Sequence, residues 1–94
     1  MSQVQEQHEP REKQLLQLTV YYNGDPKPFQ CRPHERVEHL LVQARREFHV
    51  TVNPHLMGLF NEAGEELVDA QTLSEAKVQS GQELILRQSR VRGG

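Results

Sequence analysis

The sequence predicts one α+β domain in which a single helix packs against one face of a sheet. Three observations predict it. Apolar residues alternate with polar ones at Leu16, Leu18, Val20 and Tyr22, the period of a half-buried strand. They switch to three- and four-residue spacing at Val37, Leu40, Leu41, Ala44 and Phe48, which makes one stripe along a helix. Alternation returns at Leu84 and Leu86, with Ile85 and Arg87 pointing the other way. One helix stripe and one sheet face must cover each other, because neither can leave its apolar side in water.

Taken in order, residues 1–13 are polar, charged and almost free of apolar side chains. They bury too little to offset their ordering entropy and read as a flexible arm. The first strand ends at Asn23-Gly24, the strongest short hairpin signal, here followed by Asp25-Pro26. The second strand carries Phe29 and Cys31 at alternate positions. Pro26 and Pro28 confine it to a sheet edge, because proline cannot donate to a neighbouring strand. After Pro33 a helix is expected to begin near Glu35, with acidic Glu35 and Glu38 early and basic Arg45 and Arg46 late, as the helix dipole favours. No Ser, Thr, Asp or Asn stands where its N-cap should be. Asn53-Pro54 breaks the chain before the apolar stretch Leu56-Met57-Gly58-Leu59-Phe60. Ala63-Gly64 reads as a turn, Leu67-Val68 as a brief strand and Thr72-Leu73-Ser74-Glu75 as a single helical turn. Ser80-Gly81 turns the chain into the last strand. The expected division is an arm at 1–13, a domain at 14–88 and a flexible tail at 89–94.

Composition narrows the function classes. With 94 residues and 35% hydrophobic content the chain holds one modest core and little room for an internal ligand cavity. Its single cysteine excludes an intrachain disulfide and fits a reducing compartment. No apolar run approaches the 18 or so residues of a membrane span, and the polar start lacks the apolar core of a signal peptide. A cytoplasmic monomer without membrane contact is expected. All 13 acidic side chains lie at or before Glu83, whereas Arg87, Arg90 and Arg92 follow it. A short basic tail on an acidic body is no nucleic-acid footprint, which needs a broad basic face. It suits docking onto an acidic protein groove.

In its last third the chain closely resembles ubiquitin and its relatives. The resemblance rests on Thr72-Leu73-Ser74, Val78-Gln79, Leu84, Leu86 and the ending Arg90-Val91-Arg92-Gly93-Gly94, with Ala63-Gly64 and Leu67 correctly spaced before them. Pro33, Val37 and Leu40 fit the start of the family helix, so the likeness spans about residues 15–94. The order strand, strand, helix, strand, short strand, strand is then the ubiquitin-like β-grasp arrangement, which implies a mixed sheet of four to five strands with the helix across one face. The resemblance implies a protein modifier that is not itself an enzyme and binds no cofactor or metal. An E1-like adenylating enzyme would use ATP to activate Gly94, hold it as a thioester and pass it through an E2-like conjugating enzyme to amines of target proteins. A deubiquitinase-like protease would reverse the step. Gly93 and Gly94 suit a narrow channel, because a backbone without Cβ enters conformations closed to other residues. Arg90, Arg92 and Val91 would be read by the activating enzyme, and Lys13, Lys27 and Lys77 are the amines available for chains. Ending at Gly94, this form would need no maturation protease.

The chain also departs from ubiquitin. Counted ungapped from Ala63-Gly64 and from the last strand, the family's exposed aliphatic patch falls on Asn61, Ile85 and Arg87, which makes it largely polar. Glu65 stands where ubiquitin has a chain-forming lysine. The arm is similar to those of SUMO-like modifiers, and the whole resembles a divergent modifier of the bacterial ubiquitin-like kind. A sulfur carrier ending in a thiocarboxylate shares the fold and the Gly-Gly end, and a non-conjugated interaction domain shares the fold. Among other features, Cys31-x-x-His34 with His39 has too few ligands at fixed spacing for a metal site. Cys31 is expected on the buried strand face, where a free cysteine behaves as a small hydrophobe. His8, His49 and His55 read as solvated histidines. Tyr21 and Tyr22 read as strand residues, since no basic groove accompanies them.

Overall fold

The computed structural model describes residues 15–91. Strand β1 (Leu16–Tyr22) turns at Asn23-Gly24 into β2 (Asp25–Cys31), and the helix α1 (Val37–Glu47) follows. A short 3-10 helix (Pro54–Leu56) leads into β3 (Met57–Phe60), and β4 (Glu83–Gln88) closes the sheet. The sheet order is β2-β1-β4-β3, antiparallel at both edges and parallel between β1 and β4. The hairpin closes on the pair Tyr22 and Asp25, with φ of 54° at Asn23 and 82° at Gly24, the two left-handed residues that this tight turn requires. Pro26 and Pro28 lie on the edge strand, as expected.

The alternations of the sequence are the two faces of this sheet. Leu18, Val20, Leu59, Leu84 and Leu86 face the helix and are at most 2% exposed. Val37, Leu40, Leu41 and Ala44 face them from α1 and are equally buried. Phe48 closes one end of the layer, with its ring 5.5 Å from Tyr22 and 6.4 Å from Phe29. Cys31, paired across the hairpin with Leu16, joins this core at 2% exposure, and burial pushes its thiol up to about 11, with the Glu35 charge adding to the shift.

The helix begins two residues later than expected, at Val37, and no side chain caps it. Its start is capped from a distance: the Val37 N–H donates to the Gln71 carbonyl at 2.9 Å and the Glu38 N–H to the Asp69 carbonyl at 3.2 Å. The orphan donors of the first turn are thus satisfied by a loop that sequence pattern alone does not pair with them. At the other end His49 takes φ of 53°, and its N–H and that of Val50 return to the carbonyls of Arg46 and Arg45. This is the six-to-one and five-to-two closure of a Schellman motif, with His49 in the position that glycine normally fills.

The brief strand expected at Leu67-Val68 does not form. Only an isolated bridge between Phe60 and Glu66 and the bond from the Leu67 N–H to the Leu59 carbonyl, at 2.8 Å, join this segment to β3. Residues 67 and 68 diverge because the chain must cross over to cap α1, so the sheet has four strands. The helical turn after it is present. Thr72 Oγ1 accepts from the Glu75 N–H at 3.0 Å while Glu75 Oε1 accepts from the Thr72 N–H at 2.9 Å, a reciprocal capping box.

Candidate functional site: the root of the C-terminal tail

Where β4 runs out, the chain loses its sheet partners, and the next N–H groups need others. Ser89 is 3% exposed and donates its N–H to the Leu56 carbonyl at 2.8 Å. Its hydroxyl donates to Glu66 Oε2 and accepts from the Val91 N–H at 3.1 Å. The Arg90 N–H donates to Glu66 Oε1 at 2.9 Å. One carboxylate, from a segment that a bridge to Phe60 holds beside β3, therefore ties two consecutive residues beyond the strand. It reaches them across Gly58, where an added Cβ would lie 2.5 Å from Glu66 Oε2 and 3.2 Å from Ser89 Cβ. A side chain at position 58 and this carboxylate exclude each other.

On the sheet face turned away from the helix, Phe60 is fully buried although it belongs to no part of the helix-side core. The Arg87 guanidinium covers its ring at 4.1 Å from the centroid, and the Arg90 guanidinium lies at 5.6 Å. Both are arginine–aromatic contacts of the cation–π kind. Arginine stems carry apolar surface with a charged head in water, which is how two exposed residues bury a phenylalanine. Farther along β4 the charge reverses. Glu83 accepts a hydrogen bond from the Tyr21 hydroxyl at 3.3 Å, and its charge pushes the Tyr21 phenol up, with burial and that hydrogen bond adding to it. This face thus presents Glu62 and Glu83 at one end, Tyr21 and Ile85 between, and Arg87 and Arg90 at the tail end.

The strand register corrects one sequence expectation. The outward position paired with Ile85 is Phe60, not Asn61. Asn61 has left the strand, and its Oδ1 accepts from the N–H groups of Ala63 and Glu65, both at 2.9 Å, to build the turn. Counting back from Ala63-Gly64 misses by one residue, because the turn takes up one more residue than the count allowed. The patch is aromatic beneath two arginines.

Of the residues singled out for recognition, Arg90 is exposed and held at its backbone, and Val91 is 79% exposed. Val91 lines a shallow groove with Leu67, Val68 and Ala70. Arg92, Gly93, Gly94 and Lys13 lie outside the described residues. Lys27 is half-buried on β2 with its Nζ 5.7 Å from the Phe48 ring centre, whereas Lys77 is exposed in the turn after Glu75. Ser89, which the sequence assigns to the tail, is packed into the body. Cys31 and His39 do not meet as a pair: Cys31 faces the core, and His39 Nδ1 lies 2.9 Å from Glu35 Oε2 on an exposed helix face. Glu66, Ser89, Gly58 and Phe60 carry the site without having been visible as a motif. The contact from Glu66 to the tail root spans 23 residues of sequence, and no local spacing announces it.

Neither a family model nor a curated protein matches the chain. Solved structures do. A de novo design based on ubiquitin superposes with a TM-score of 0.69 at 21% identity, over 81% of this chain and 90% of the other. Ubiquitin from Caldiarchaeum subterraneum gives a TM-score of 0.69 at 20% identity, over 85% of this chain and 99% of its own. The chain has the ubiquitin-like fold. A protein from Arabidopsis thaliana is similar at 30% identity and a TM-score of 0.67, over 81% of this chain and 86% of the other. Within the ubiquitin-like fold, the expected mixed sheet crossed by one helix is the observed one. Among the described residues no helix is long and apolar enough to cross a membrane.

Proposed function

We propose that this chain is a ubiquitin-like protein modifier, activated at its C-terminal glycine and joined to amines of other proteins. The observation that carries the reading is the held tail root: the body grips the backbone through Val91 and leaves the Arg90 guanidinium on the surface, directly before Arg92-Gly93-Gly94. The ubiquitin-like fold supports it, as does the run of glycines that a narrow enzyme channel admits. In the proposed reaction the Gly94 carboxylate attacks the α-phosphate of ATP, releasing pyrophosphate and leaving an acyl adenylate. A cysteine thiolate of the E1-like enzyme displaces AMP to give a thioester. An E2-like enzyme carries it to a lysine amine, which expels the thiol and forms an amide. The chain contributes no catalytic group; it contributes a docking surface and a reachable carboxyl. Arg90, Arg92 and Val91 are the proposed contacts of the activating enzyme, with the two arginines steering encounter with an acidic groove.

Trypsin cuts after Arg92, so a lysine joined to Gly94 keeps a Gly-Gly remnant detectable by mass spectrometry. Cells making the tagged full chain should yield remnant-bearing lysines that vanish when Gly94 is deleted, with the melting temperature of the purified variant unchanged. Remnants of equal abundance without Gly94 reject the modifier reading. A C-terminal peptide whose mass shows sulfur in place of oxygen, with no remnants, makes the chain a sulfur carrier.

A further inference from the structure

We propose that Glu66 is a positioning residue for the terminal carboxyl, holding Ser89–Val91 in one geometry so that the segment that follows starts from a fixed point and direction. This inference rests on the modifier reading. Its basis is the division of labour at the tail root. Both carboxylate oxygens of Glu66 are used on the tail, one by the Ser89 hydroxyl and one by the Arg90 N–H. The Ser89 hydroxyl in turn accepts the Val91 N–H. Together with the bond from the Ser89 N–H to the Leu56 carbonyl, each main-chain donor from 89 to 91 has a partner although the sheet has ended.

The carboxylate takes the backbone of Arg90 and leaves its guanidinium over Phe60, where a partner can reach it. A glutamate paired with that guanidinium would instead have neutralised the charge that a docking partner reads. Three features converge on this arrangement: the bridge that fixes Glu66 beside Phe60, the missing side chain at Gly58, and the buried Ser89. Ordering a free residue on binding costs backbone entropy, so each residue held in advance spares a partner on the order of tenfold in affinity. Glu66 therefore acts on binding and not on the chemical step.

The experiment uses the full chain and its Glu66→Ala and Glu66→Gln variants. Amide hydrogen exchange at Arg90 and Val91 should quicken by about tenfold or more in Glu66→Ala while Leu84 and Leu86 stay protected, with Glu66→Gln between. In pyrophosphate exchange with the adenylating enzyme that charges the wild-type chain, KM should rise by about tenfold with kcat within about twofold. Unchanged exchange at Arg90 and Val91 overturns the proposal, and so does faster exchange with an unchanged KM or a loss confined to kcat. If Glu66→Ala unfolds, faster exchange at Leu84 reveals it and Glu66→Gln decides. A wild-type chain that no adenylating enzyme charges rejects the modifier reading itself and this role with it. A charged wild type with indistinguishable variants rejects only the role of Glu66.

Discussion

The two faces of the sheet are built on different physics. The helix side is a dry aliphatic layer in which Leu18, Val20, Leu59, Leu84 and Leu86 meet the α1 stripe. The outer side buries a single large residue, Phe60, under the stems and charged heads of Arg87 and Arg90. Burial on the first face is enforced by packing that has nowhere to relax. Burial on the second comes from side chains that can swing away, so it is a cover and not a core. The dry face carries the packing of the domain, while the covered face carries two guanidinium groups beside the tail.

Substitutions break this comparison in graded steps. Leu84→Ala, on the dry face, should cost about 2–5 kcal/mol in urea unfolding, because the layer cannot collapse onto the cavity. Phe60→Ala removes a larger side chain, yet it should cost less, about 2–3 kcal/mol, since the arginine stems settle into the gap. A loss for Phe60→Ala that exceeds that for Leu84→Ala would mean the outer face is core after all. Alkali tests the inner face in a different way. The Cys31 thiol is raised from 9.0 to about 11 in the fold, so the unfolded chain ionises first as pH rises and binds fewer protons. Stability should therefore decline between those two values and be unaffected by this group below pH 9; in Cys31→Ala that part of the decline should vanish. Smallest of all, Arg87→Ala should cost under about 1 kcal/mol, the range of one exposed cation–π contact. If the proposed activating enzyme docks on this face, the variant should also associate with it more slowly at low salt.

The same division separates what was legible in the residues from what was not. The inward positions of β1 and β4 followed from alternation, because a period of two leaves no other side for Leu18, Val20, Leu84 and Leu86. Asn23-Gly24 fixed its hairpin for a local reason as well: both residues accept positive φ. The start of α1 was misplaced by two residues, since its caps are the carbonyls of Asp69 and Gln71 and not a side chain nearby. Phe60 was counted into an apolar stretch without a face. Its register depends on how many residues the following turn consumes, and Asn61 settles that with its own side chain.

By itself the sequence determined the fold class, the helix-side core, the edge strand with its prolines, and the ending that makes the tail chemically interesting. These depend on periods and on backbone preferences that neighbouring residues impose on one another. Only the tertiary structure decided that Glu66 ties down Ser89 and Arg90, that Gly58 makes room for it, and that two arginines roof Phe60. The contacts of Glu66 and Phe60 with the tail root join segments more than twenty residues apart, and their partners are chosen by the path of the folded chain, which no local pattern encodes.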